Sequence, residues 1–264
     1  MSDILRPHQV TGAVMVHIGR CGSTVLAEMF ARQAATRSLG EVYTTYRTQK
    51  IKDQGLTAAD YTVFRLRKAA RNLAKEAAPY PRALMFEVKF LSSLDLRLLS
   101  GDLPAYLAFL TDLGVTQAVI LSRRNLLKRL ISTRLALARE DYYLLDGSKI
   151  ELPRVELPVS GLYMGMRGSL VEVFDKITAE YQALALACKA AGLATLHLVY
   201  EDDIQSDPNL ALSRLCDSLG RPADPVVPKY QRINTRTLPE ILINHDEVAA
   251  HLTGTAYEWM LTDG

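Results

Sequence analysis

Short apolar runs alternate with segments of helical spacing along most of this chain, and that alternation limits the folds open to it more than any other feature. Residues 14–18 form an apolar run that holds one histidine and stops at Gly19, the pattern of a buried strand. Residues 82–91, 117–121 and 195–199 read as further strands. Ser23 opens a segment with Leu26, Met29, Phe30 and Gln33 at helical spacing, and helices are predicted over 58–77, 103–113, 125–138, 170–191, 209–219 and 240–252. Such alternation implies an α/β fold: a parallel central sheet with helices on both faces. The chain has 264 residues, enough for one large domain, and 1–264 is read as one. Ligands of such sheets bind beyond the carboxyl ends of the strands, so the turns after Ile18, Leu91, Leu121 and Val199 are expected around one cleft.

Residues 140–167 break the rhythm with Gly147, Pro153, Pro158, Gly161 and Gly165. An irregular stretch of that length is read as a lid or substrate-binding insert, with Tyr142, Tyr143 and Tyr163 around it. A link holding Pro222, Pro225 and Pro228 leads into a tail over 222–264. The net charge of +2 supplies no overall field for gripping nucleic acid, which is not an expected partner. Locally, nine basic against three acidic residues make 47–82 a +6 segment and leave −4 for the rest. Cys21, Cys188 and Cys216 are widely spaced, with no CxxC or His/Cys cluster, so neither a metal site nor a disulfide framework is expected. Residues 1–10 carry Asp3, Arg6, Pro7 and His8 where a secretory leader needs an apolar run, and no apolar stretch reaches the ~18 residues of a membrane span. A cytoplasmic protein without a transmembrane segment is expected.

Three constellations carry chemistry. The first turn reads His17-Ile18-Gly19-Arg20-Cys21-Gly22-Ser23-Thr24. A glycine-bearing loop between a strand and a helix start offers backbone N–H groups and the helix dipole to an anion, and Arg20 adds a charged fork. No lysine follows Gly22, so this is not the triphosphate-binding GxxxxGK[ST] loop, and the same residues also read as a plain N-capped helix. The second constellation is Ser122-Arg123-Arg124-Asn125 with Ser132 eight residues past Arg124. An arginine at a strand end and a hydroxyl two turns into the next helix suit a dianionic phosphate, although Lys128, Arg129 and Arg134 also allow a merely solvated basic helix. The third is Tyr200-Glu201-Asp202 at the end of a strand, equally readable as a strand end with capping acids.

Together the three resemble the sulfotransferases that use 3′-phosphoadenosine 5′-phosphosulfate (PAPS). Arg20-Cys21-Gly22-Ser23-Thr24 is similar to their 5′-phosphosulfate loop, with cysteine where serine or threonine is usual. Arg124 and Ser132 match the spacing of their 3′-phosphate pair, and Tyr200 matches the tyrosine near their adenine. Ser38-Leu39-Gly40-Glu41 and the tail around Arg232 and Arg236 resemble the bacterial carbohydrate-type members, of which the trehalose sulfotransferase is similar. The resemblance implies a P-loop-like sulfotransferase fold and transfer of a sulfuryl group from PAPS, releasing the bisphosphate PAP, to a hydroxyl of a small molecule, carbohydrate or glycolipid. It implies donor binding by Gly19, Arg20, Cys21, Gly22, Ser23, Thr24, Arg124, Ser132 and Tyr200. Arg232 or Arg236 would cap the 3′-phosphate in place of the Arg-Lys-Gly element that is absent here. The histidine base of the animal enzymes has no counterpart: Glu87-Val88-Lys89 occupies its strand.

Glu41 is the expected general base, in a dry pocket with a raised pKa, and Glu87 the reserve. Arg20 would stabilise the leaving phosphate, and Lys89, on the same side of its strand as Glu87, would touch the sulfuryl or leaving oxygen. His17 reads as a satisfied core histidine. The rival readings are a nucleotide kinase, which lacks support in the missing Gly-Lys, and a nucleotide-binding protein without catalysis. A homodimer is the commonest assembly for such enzymes.

Overall fold

A computed structural model describes residues 3–48, 55–99, 101–139, 153–230 and 236–262. In chain order the elements are β1 (Val10–His17), α1 (Ser23–Ala31), β2 (Thr36–Glu41), α2 (Val42–Thr48), α3 (Ala58–Leu73), β3 (Arg82–Lys89), α4 (Leu103–Asp112), β4 (Val115–Ser122) and α5 (Leu126–Arg139). They continue with β5 (Ser160–Tyr163), β6 (Met166–Ser169), α6 (Leu170–Ala190), β7 (Ala194–Val199), α7 (Pro208–Ser218), α8 (Leu238–Ile241) and α9 (His245–Leu252), with short 3-10 turns between. By internal contacts the chain divides into two compact units, Met1–Ser122 with Gln182–Pro228 and Arg123–Tyr181 with Lys229–Gly264.

The first unit is built on a five-stranded sheet in the order β2-β3-β1-β4-β7, every neighbouring pair parallel. The expected α/β class is thus what the chain adopts. A strand at the centre of a parallel sheet is covered on both faces and must be apolar throughout. The central strand β1 meets that demand, with Ala13, Val14, Met15 and Val16 essentially inaccessible. The right-handed rule for parallel crossovers puts α1 on one face of the strand order and α3 and α4 on the other, and α1 packs with α7. On that second face Tyr43 of α2 meets Tyr106 of α4 edge-on, 6.3 Å between centroids, and accepts a 2.9 Å hydrogen bond from Thr62 of α3. Burial pushes the Tyr43 phenol up to about 12 and that of Tyr106 well above the ordinary value.

The edge strand β2 was not among the four strands expected from the sequence. Thr36–Glu41 (TRSLGE) has one large apolar residue, and it becomes a strand by pairing with β3 rather than by its own pattern. The expected strand over 82–91 ends at Lys89, where the Asp95 carboxylate accepts the Lys89 N–H and closes a turn.

The second unit holds α5, whose start is capped by Asn125: its side-chain oxygen accepts the Lys128 N–H at 2.8 Å and its amide donates to the Met260 carbonyl at 3.2 Å. The described part of the expected irregular insert contains a β5–β6 hairpin closed by Met164 and Gly165, both at positive φ as a type I′ turn demands. The last helical stretch, expected over 240–252, is two helices, α8 and α9, parted where Asn244 exchanges hydrogen bonds with the Leu157 backbone. Phe174 and Tyr257 pack edge-on at 5.1 Å beside them.

Candidate active site

All five strands of the sheet run the same way, and the side chains singled out in the first unit gather at their carboxyl ends. β1 gives way to the loop 18–22, and the left-handed residues there, Gly19 (φ 81°), Arg20 (φ 61°) and Gly22 (φ 85°), turn the chain sharply into α1. Gly22 is the N-cap of α1 and, having no side chain, caps nothing. The first-turn N–H groups of a helix left so are the usual ligands of an oxyanion. A side chain at Gly22 would also crowd its neighbours, since a Cβ there would stand 3.0 Å from both Tyr200 Cδ2 and Ile204 Cγ2. The loop is therefore packed against the π-helical turn Tyr200–Ile204 that follows β7, with the Tyr200 ring beside Gly22. Ser23 is buried, Arg20 and Thr24 half-buried. Cys21 is fully buried, its thiol donating to the Gly19 carbonyl at 3.2 Å.

The opposite end of the site is set by a bulge. Ser38 of β2 pairs with Met85 of β3, but Glu41, three residues on, pairs with Glu87 only two residues on. The extra residue is absorbed at Gly40, in left-handed backbone (φ 59°), and it brings Glu41 opposite Glu87 rather than one position past it. In the parallel register Met15 stands opposite Glu87 and His17 opposite Lys89. His17, Glu41, Glu87 and Lys89 thus share one sheet face.

Two of them, Glu41 and Lys89, belong to a closed ring of contacts. The Lys89 ammonium donates to Glu41 Oε2 at 2.7 Å, and Thr44 Oγ1, one turn into α2, donates to the same oxygen at 2.6 Å. Arg47 donates to Thr44 Oγ1 at 3.1 Å and to the wholly buried Asp95 at 2.8 Å, and Asp95 accepts the backbone N–H of Lys89 at 2.8 Å. Burial alone would raise the Glu41 pKa, but the Lys89 charge with the Lys89 and Thr44 hydrogen bonds outweighs it, and the carboxyl lies below its ordinary value. The raised pKa expected from the sequence is thereby corrected: a cation that arrives from the neighbouring strand ionises the acid. Thr44, Arg47 and Asp95 were not among the candidates, and the one sequence signal that favoured them is the threonine and arginine at helical spacing after Glu41.

The ring stands or falls with Asp95. Asp95→Ala leaves the Lys89 N–H without its buried acceptor and Arg47 without its anion. It is expected to lower unfolding free energy by about 2–4 kcal/mol, against less than about 1 kcal/mol for removal of the exposed Arg37–Glu76 pair. Denaturant unfolding of the two variants checks the contrast.

His17 departs from the satisfied core histidine it was expected to be. The ring is inaccessible, Nδ1 accepts the Gly19 N–H at 2.9 Å, and Nε2 lies 3.3 Å from Glu87 Oε2 without hydrogen-bond alignment. One ligand atom each from His17, Glu41 and Glu87 fall within 4.8 Å of one another, the spacing of a cation site. The donor set does not favour one: with Nδ1 accepting, the ring proton is on Nε2, and Glu41 is already neutralised by Lys89.

The second unit carries the remaining candidates. Arg124 is exposed just ahead of α5 and Ser132 half-buried in its second turn, so the helix begins one residue past the Asn125 assumed for the pair. Arg236 donates to the Pro153 carbonyl at 3.0 Å. Arg232, Tyr142 and Tyr143 lie outside the described residues, and Tyr163 is buried in β5. Among the described residues no helix is long and apolar enough to cross a membrane.

No protein-family model and no curated protein matches the chain. Among solved structures it is similar to a sulfotransferase from Alicyclobacillus acidocaldarius, at 12% identity over 96% of each chain with a TM-score of 0.44.

Proposed function

We propose that this protein is a PAPS-dependent sulfotransferase acting on a hydroxyl acceptor of carbohydrate or glycolipid type. The observation that carries the reading is the meeting of two kinds of group at the strand ends of one unit. An uncapped helix start with Arg20 beside it is joined by hydrogen bond to His17, whose ring has an atom within 4.8 Å of the Glu41 carboxylate that a lysine holds ionised. Sulfuryl transfer asks for these: cations and N–H groups at the leaving phosphate, and a base for a weakly acidic hydroxyl.

In this reading the donor supplies an activated sulfuryl group. Arg20 and the first-turn amides of α1 hold its 5′-phosphate and stabilise the charge that gathers there as the bridging S–O bond breaks. Glu41 takes the proton of the acceptor hydroxyl as the new O–S bond forms. Lys89 is already within reach of Glu41 and balances the negative charge that collects around the transferring group. Tyr200 offers a ring beside Gly22 for the adenine. Arg124 and Ser132 bind the 3′-phosphate, with Arg232 or Arg236 capping it. The ionised Glu41, and not the half-buried Lys89, is the base, because the pair is already in the charge state that accepts a proton on carboxylate.

A base whose pKa is lowered stays ionised into the acid range. The acid limb of kcat/KM is therefore expected below the ordinary glutamate pKa, measured as a pH–rate profile, and Lys89→Met is expected to move it upward. The same lowering means that the pair stabilises the fold above the unfolded-state pKa of Glu41. That contribution is lost as pH falls through the lower folded value.

The experiment that tests the reading is transfer of label from sulfur-labelled PAPS to pooled sugars and cell extract in the presence of EDTA. Labelled product supports it. Transfer of phosphate from ATP that stops on chelation would instead assign a kinase, and nucleotide binding without transfer to any acceptor would assign a binding protein.

A further inference from the structure

We propose that His17 is a positioning residue that holds the anion loop in its working conformation, an inference that rests on the donor-binding reading above. His17 is the last residue of β1 and its ring is closed off from solvent. It touches the loop and the sheet on opposite edges. Through Nδ1 it accepts the Gly19 N–H at 2.9 Å, a short ring closed around Ile18. Gly19 is the first of two successive left-handed residues, and the second is Arg20 (φ 61°), whose backbone disfavours that conformation. A bond that pins Gly19 in place therefore sets where Arg20 begins and how its side chain leaves the loop.

The other edge explains why the imidazole can serve as an acceptor. A neutral ring carries one proton, and with Nδ1 accepting, that proton is on Nε2. Nε2 is 3.3 Å from Glu87 Oε2, and neither atom has a hydrogen-bond partner among the described residues. The carboxylate oxygen, close to Nε2 though not aligned for a hydrogen bond, favours electrostatically the tautomer with its proton on Nε2, which leaves Nδ1 free to accept from Gly19. Glu87 on β3, His17 on β1 and the Gly19 amide form one line from the sheet to the loop. Glu87, the reserve base expected from the sequence, therefore orients His17 instead of taking a proton from the acceptor.

Two substitutions separate the nitrogens. Asparagine places its side-chain oxygen near the position of Nδ1 and can still accept the Gly19 N–H, whereas leucine fills the space with no acceptor. Binding of adenosine 3′,5′-bisphosphate is measured by calorimetry, with thermal unfolding in parallel. His17→Leu is expected to weaken binding about 10- to 100-fold, and His17→Asn to stay within about threefold of the wild type, although both lose the contact with Glu87. Rescue by asparagine is the result that a histidine needed only for packing does not give. Wild-type affinity in the leucine variant, or an equal loss in both, overturns the positioning role while leaving the donor reading in place. Failure of the wild-type protein to bind the bisphosphate overturns both. Should the leucine variant not fold, hydrogen exchange at the Gly19 amide of the native protein decides: protection supports the link, and exchange at the rate of an open loop overturns it.

Discussion

Glu41→Gln is expected to lower turnover by about 10²- to 10⁴-fold while leaving affinity for adenosine 3′,5′-bisphosphate within about threefold. The factor is that of removing a positioned proton acceptor. Glutamine keeps the size of the side chain and, through its carbonyl oxygen, an acceptor for Lys89 and Thr44, which now donate to Glu41 at 2.7 and 2.6 Å. It cannot take a proton at neutral pH. The loss therefore falls on kcat, and the loop 18–22 is left intact because its partners are His17 and the Tyr200 turn rather than Glu41. A variant with weak nucleotide binding and normal turnover would remove Glu41 from the role of base. Steady-state kinetics and calorimetry on the same preparation separate the two outcomes.

Arg124→Ala is expected to weaken bisphosphate binding by about 2–3 kcal/mol, or about 30- to 150-fold, through loss of a charge-assisted contact to a dianion. The effect should be selective. A nucleotide that carries only a 5′-phosphate never meets the proposed 3′-phosphate pair, so the variant should lose the preference for the bisphosphate and keep its affinity for the 5′-monophosphate. Ser132→Ala should show the same selectivity with a smaller loss, because one neutral hydroxyl is removed. Asn125, which caps α5 and anchors to the Met260 carbonyl, is not touched by either change, so the helix start is expected to remain. Unchanged affinity of Arg124→Ala for the bisphosphate would place the 3′-phosphate elsewhere.

What the sequence disclosed and what it hid follow one physical line. Elements that bury a continuous apolar surface announce themselves: β1, β3 and β4 were legible because a strand covered on both faces has to be apolar, whereas β7 lies at the sheet edge with Leu198 alone of its residues buried. The edge strand β2 is not covered in that way. Its identity is decided by pairing with β3 and by a bulge at Gly40, and neither leaves a periodic trace in TRSLGE. The β5–β6 hairpin was hidden for a related reason. Gly165 suggests a turn, but the residue before it is Met164 rather than the usual asparagine or aspartate.

The site divides similarly. The glycines of the loop were readable because its left-handed backbone at Gly19 and Gly22 requires them, and Arg20 because its charge stands between them. Glu41 was found by its motif, but its charge state was not, since that is fixed by Lys89, 48 positions away, and by Thr44. The Arg47–Asp95 pair and the approach of Glu87 to His17 are likewise products of the β2-β3-β1 order, and no local pattern encodes a strand order. His17 shows the lesson most clearly. A lone histidine on an apolar strand is usually only a packed ring, and its two nitrogens acquire distinct roles through Gly19 on one side and Glu87 on the other.

A bisphosphorylated nucleotide is the proposed ligand of the loop, and calorimetric titration of the wild-type protein with adenosine 3′,5′-bisphosphate, beside ATP with magnesium, tests that most directly. Saturable binding of the bisphosphate with one site per chain, little affected by EDTA and much tighter than that of ATP, is the expected result. Tight magnesium-dependent binding of ATP with no heat from the bisphosphate would contradict it.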